Sequence, residues 1–132
     1  VLNRRWKMSE EVTMRVPPTL VRSTKLERYV ITNDRRENLG HCETFLVDLC
    51  SWRVPFIIAS FLGEALTDKW YAIPYELVSF DDKKKAFILS VPRDVIKKAP
   101  GVDKNIWGPD KIDLRWLSEA CRYYGCVPYW EA

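Results

Sequence analysis

The sequence predicts a mainly β fold: a small, strongly bent antiparallel barrel with a helical, aromatic-rich carboxyl-terminal tail. Three observations predict it. Short apolar segments recur at strand length, with turn-forming residues between them. From Trp70 the chain reads WYAIPYELVSF, then a charged DDKKK, then AFILSV, as a hairpin would. Beyond Val91 the period changes to that of a helix, with Leu114, Leu117, Cys121 and Tyr124 on one stripe.

The chain has 132 residues, 47% hydrophobic and 13% aromatic, which suits one domain with a modest core and excludes a disordered polymer. Six tryptophans offer large surfaces for burial in so small a fold. The apolar run from Val54 to Leu62, interrupted by Pro55 and Ser60, is far short of the ~20 residues a membrane helix needs. Val1 to Val16 mixes Arg4, Arg5 and Lys7 with Glu10 and Glu11 and has no apolar signal core, so a cytoplasmic protein is expected. The net charge of +3, from 21 basic and 18 acidic side chains, gives no nucleic-acid signal by itself.

Residues 1–19 read as an irregular extension ending at Pro17-Pro18. Residues 20–92 read as the barrel. Tyr29 to Thr32 is a short strand, and Asn33 to Asn38 a turn. Glu43 to Leu49 follows, with Phe45, Val47 and Leu49 on one face and Thr44, Leu46 and Asp48 on the other. Val54 to Phe61 is apolar on both faces and so belongs deep in the sheet, with Pro55 at an edge or a bulge because it lacks a ladder donor. Trp70 to Tyr75 and Ala86 to Val91 complete the strands, and Asp81 to Lys85 keep a hairpin tip in water.

Residues 93–132 read as a helical tail packed on the barrel. Ser90 is suited to cap a brief helix through Lys98, which Ala99-Pro100-Gly101 ends, with Val95 and Ile96 facing the barrel. Asp110 or Asp113 caps a second helix that closes at Gly125.

Ile73-Pro74-Tyr75, Ala99-Pro100-Gly101, Tyr123-Tyr124-Gly125 and Pro128-Tyr129-Trp130 together resemble the PRC-barrel family. Leu20 to Ser23, Asn38-Leu39-Gly40 and the strand around Asp48 extend the resemblance over most of the ordered chain. It implies a bent antiparallel barrel in a stand-alone protein. Trp52 stands in a turn where relatives often carry glycine, and Phe61 to Ala65 is less glycine-rich than the usual loop. The resemblance names no activity, since relatives serve as docking or accessory modules in unrelated systems. Two of those settings are the cytoplasmic part of the photosynthetic reaction-centre H subunit and the carboxyl-terminal half of a ribosome maturation factor.

The chemistry-bearing residues read mostly as structural. His41, the lone histidine, lies next to Cys42, and neighbouring strand residues point to opposite faces, so the two do not form a nucleophile pair. Asp81 and Asp82 suit a turn, Asp110 and Asp113 suit helix caps, and no zinc spacing, phosphate loop or cofactor motif occurs. Cys42 and Cys50 are separated by roughly 26 Å on an extended strand, and Cys121 and Cys126 lack CxxC spacing, so reduced thiols are expected. Arg4, Arg5, Lys7, Arg35, Arg36 and Lys83 to Lys85 make a patch only if folding gathers them, and acidic neighbours dilute them.

Trp107, Trp116, Tyr123, Tyr124, Tyr129 and Trp130 are more aromatic surface than a solvated tail needs. Most are expected in the core. Trp107, Trp116, Tyr124, Tyr129 and Trp130 are the candidates for an interface. The expected function is therefore a non-enzymatic interaction or assembly module, possible as a homodimer or with another protein, and needing no metal or cofactor. The alternatives, which rest on the resemblance, are a peripheral accessory subunit for membrane electron or proton transfer and a ribosome-maturation-like binder of RNA or ribonucleoprotein.

Overall fold

Residues 17–63, 66, 68–105 and 112–131 are described by a computed structural model. The strands are β1 (Val30–Thr32), β2 (Asn38–Asp48), β3 (Arg53–Phe61), β4 (Lys69–Pro74), β5 (Val78–Asp81), β6 (Ala86–Leu89) and β7 (Gly101–Asp103). The helices are α1 (Ser23–Leu26), α2 (Arg93–Lys97) and α3 (Leu114–Tyr123), with 3-10 turns at Tyr75–Leu77 and Tyr129–Glu131.

The seven strands among the described residues join one sheet in the order β5-β6-β1-β2-β3-β4-β7. The fold is mainly β, as expected, but two expectations are corrected. The sheet is mixed, because β1 runs parallel to β6, with Ile31 beside Phe87. The long connection between those strands permits a parallel pair, and the register sends both side chains into one core. The sheet is also not closed into a barrel, since β5 and β7 are its two ends and do not pair with each other among the described residues.

β3 shows why the sheet has two covered faces. Ile57, Ala59 and Phe61 enter one cluster with Cys42, Tyr71, Leu89 and Ile96. Phe56 and Ile58 enter a second cluster, with Ala72 on β4 and Trp116, Leu117, Ala120 and Cys121 on α3. The doubly apolar run of β3 is thus buried on both sides, as its composition predicts. Full burial of each such side chain contributes about 1.5–3 kcal/mol. Pro55 lies where the β2–β3 register shifts, between the Leu46–Phe56 and Asp48–Arg53 pairs, which is the bulge its missing donor requires. β2 carries a second irregularity between Cys42 and Thr44, so the simple alternation expected for Glu43 to Leu49 fails: Val47 and Leu49 are exposed.

The Trp70 strand is not the hairpin partner of the Ala86 strand. Pro74 ends β4, the chain turns through Tyr75–Leu77, and a new strand, β5, forms the hairpin with β6. Ser90 does not cap α2: Pro92 occupies that position, and the Ser90 hydroxyl donates instead to Asp34 Oδ1 at 3.0 Å. Ile96 is buried and Val95 half-buried, as the helix face predicts. The tail is only partly helical, because Gly101–Asp103 pairs with β4 as β7. Among the described residues no helix is long and apolar enough to cross a membrane.

Candidate functional site

The end of β2, the start of β3, the first half of α3 and the Tyr129–Glu131 turn meet around one apolar groove. The β2–β3 turn is organised by Asp48. Its Oδ1 accepts from the Cys50 amide at 2.9 Å, and its Oδ2 from the Ser51 hydroxyl at 2.9 Å and the Tyr129 hydroxyl at 2.5 Å. These donors, Tyr129 foremost, hold the Asp48 carboxyl well below its usual value, down to about 2. The Arg53 guanidinium lies 4.5 Å from the centre of the Tyr129 ring, a cation–π contact that fixes the other side of that phenol. Trp52 sits in this turn at φ 58°, in the left-handed region, with 77% of its surface exposed.

α3 supplies the second wall. Asp113 caps it by accepting from the Arg115 amide at 2.9 Å. The apolar stripe then divides: Leu117 is buried against the sheet, while Leu114 is 60% exposed at the groove. The other end of α3 closes as a Schellman motif, in which Cys126 N–H bonds to Cys121 O, Gly125 N–H bonds to Arg122 O, and Gly125 adopts φ 80°. That reversal brings Tyr129 and Trp130 back over β3. Trp130 packs at 6.1 Å on Phe56 and edge-on at 5.2 Å on Tyr129, and Arg122 pairs with Glu131 at 2.9 Å.

The resulting groove has a volume of about 500 Å³. Leu46, Leu49, Pro55, Phe56, Leu114 and Trp130 line most of it, and the Asp48 carboxylate at its edge is already engaged by three donors. Such a surface suits an aliphatic or aromatic side chain, and Asp48 is the one carboxylate among the described residues that line it.

The expected interface residues separate into two groups. Tyr129 and Trp130 line the groove. Trp116 is buried and its Nε1 donates to Pro100 O at 3.1 Å, so it is a core residue. Tyr124 packs on the core, and burial pushes its hydroxyl pKa up; that hydroxyl has no hydrogen-bond partner among the described residues. Tyr123 donates to Val95 O and thereby ties α3 to α2. Trp107 and Asp110 lie outside the described residues, as do Arg4, Arg5 and Lys7.

His41, Cys42, Asp81 and Asp113, the residues weighed for catalysis, have the following surroundings. His41 Nε2 contacts Glu43 Oε1 at 2.7 Å, and the Ser60 hydroxyl donates to the same oxygen at 2.7 Å. Burial alone would raise the Glu43 pKa, but the bonds from Ser60 and His41 outweigh it and hold the carboxyl below its usual value. Cys42 is wholly buried in the core, where burial, with Glu27 and Glu43, pushes its thiol up to about 12. Asp81 accepts from the Lys83 and Lys84 amides, a turn role, and Asp113 is the helix cap. Among the described residues no three metal-ligating side chains gather. Arg36 and Lys84 do share a groove, but Asp34 and Asp81 line it too.

Reading the sequence missed Leu49, Trp52, Ile112 and Leu114, all exposed and all near this groove or its turn. The one signal came from the family resemblance, in which Trp52 stands in a turn where relatives often carry glycine.

No family profile matches the chain, and no curated protein matches it. Among solved structures it is similar to a Pseudomonas aeruginosa protein, RimM, assigned to 16S ribosomal RNA processing, with 18% identity and a TM-score of 0.43. The match covers 61% of this chain and 49% of that one, so the chain spans about half the length of the solved structure it matches.

Proposed function

We propose that the protein is a non-enzymatic assembly module of PRC-barrel type that pairs with a second copy of itself through the apolar groove. The observation that carries this reading is Trp52. A bulky ring held at φ 58° and 77% exposed stands on the same turn that gives Leu49 to the groove. An exposed apolar ring and one wall residue of the apolar recess therefore share a single turn. A two-fold pairing sets each ring into the recess of the other copy, which is the self-complementary geometry of an isologous dimer. Large aromatic anchors entering a desolvated recess are what dominate such interfaces.

Light scattering over a concentration series tests this on the full chain. The expected result is a dimer that dissociates on dilution. Trp52→Ala and Leu114→Asp shift the dissociation to higher concentration by tenfold or more, while the exposed Leu114 site leaves fold stability within about 0.5 kcal/mol. A monomer at every concentration removes the reading. The ribonucleoprotein alternative has less to rest on, because Arg36 and Lys84 share their groove with Asp34 and Asp81.

A further inference from the structure

Cys121 and Cys126 are the third- and fourth-ordered cysteines of the chain, and the fold places them at the two positions that the Schellman motif brings together. In that motif the residue two beyond the helix cap returns to a residue of its last turn, and a side-chain contact between the two frequently accompanies the backbone bond. The Cys126 N–H to Cys121 O bond is 2.8 Å long. With standard backbone dimensions, that length caps the Cα–Cα separation at about 6.7 Å. Disulfides span Cα–Cα distances of about 4.4–6.8 Å. Cys126 also packs against the core cluster that contains Cys121. Cys42, by contrast, is enclosed in the other cluster, and Cys50 is on the exposed β2–β3 turn.

We propose that Cys121 and Cys126 form a dithiol site that a small disulfide oxidant closes into an intramolecular bridge. Cys126, the half-buried member, reacts first: its thiolate attacks one sulfur of the oxidant and expels the other as a thiolate. The Cys121 thiolate then attacks the Cys126 sulfur of the mixed disulfide and expels the second thiolate. The protein loses two electrons and two protons, one from each thiol, and the oxidant is reduced to two thiols. Burial, and then the carboxylate of Glu76, raises the Cys126 pKa; burial likewise raises that of Cys121, so both thiols are protonated at rest. The bridge pins the reversal that carries Tyr129 and Trp130, so it makes the groove wall responsive to thiol redox state. This inference does not depend on what the groove binds.

The test uses the full chain with Cys50→Ser, to silence the exposed thiol, treated with oxidised glutathione at mildly alkaline pH. Two of the three remaining thiols are lost without lasting gain of glutathione mass. Trypsin, which cuts after Arg115 and Arg122, releases residues 116–122 and 123–132 as a linked pair that separates on reduction. Cys126→Ser abolishes the pair and leaves Cys121 unreacted. In guanidinium the linked pair gives way to singly capped cysteines, because the motif that aligns them is gone. A stable glutathione adduct at Cys126 beside a free Cys121 in the native chain overturns the proposal. So does a bridge that forms equally well in denaturant.

Discussion

The hydroxyl of Tyr129 donates a 2.5 Å hydrogen bond to Asp48 Oδ2 across 81 residues of sequence, joining the last turn of the chain to the β2–β3 turn. The bond is charge-assisted, and it is the largest cause of the low Asp48 pKa. Asp48 falls from an ordinary 3.8 to about 2 on folding, so its contribution to stability is complete above pH 3.8 and is lost as pH falls toward 2. Tyr129→Phe is expected to lower the melting temperature most above pH 4. The gap from the parent protein narrows as pH approaches 2, and thermal melts across that range measure it.

Trp52→Gly separates folding from docking. The left-handed conformation at φ 58° costs a residue with a Cβ about 1–2 kcal/mol, and glycine almost nothing. The variant is expected to unfold at higher denaturant, by about 1 kcal/mol, while the proposed self-association weakens. Urea titration beside light scattering distinguishes the two effects.

Gly40→Ala is expected to destabilise strongly. A Cβ there would lie 2.0 Å from the Ser60 carbonyl oxygen, where β2 pairs with β3, and backbone atoms cannot give way cheaply. A loss of about 2–4 kcal/mol follows, read as a lower denaturation midpoint.

Leu117 and Leu114 lie on the same helix with opposite consequences. Leu117 is 3% exposed, so Leu117→Ala is expected to cost about 2–4 kcal/mol through lost contacts and a cavity. Leu114→Ala, at 60% exposure, stays within about 0.5 kcal/mol. Denaturant melts of the two variants side by side check the contrast.

Tyr124→Phe removes a buried hydroxyl that has no partner among the described residues. Stability is expected to stay level or rise by up to about 1 kcal/mol, since the desolvation cost of that oxygen disappears. A calorimetric melt reads the sign.

Elements with strong local chemistry were legible. The apolar run of β3, the Pro55 bulge, the Asp113 cap and the Gly125 reversal each follow from backbone propensity or from a missing hydrogen-bond donor. Three-residue β7 was not legible: Gly101-Val102-Asp103 has no periodicity to read, and it is a strand only because β4 lies beside it. The same holds for β5, where the break at Pro74 hid a new strand inside a continuous apolar stretch. Of the five aromatic candidates, Tyr129 and Trp130 line the groove, while Trp116 and Tyr124 pack inward. Aromatic residues serve burial and binding equally, so composition does not sort them.

By itself the sequence determined a mainly β domain, its doubly buried central strand and the end of its main helix, and narrowed that helix's start to Asp110 or Asp113, because these depend on neighbours within a turn or a strand. Tertiary structure alone decided that β1 runs parallel to β6, that Asp48 meets Tyr129, and that Leu114 and Leu49 are left facing an open recess. Those outcomes depend on which distant surfaces compete for the same apolar cover, and no local pattern encodes that competition.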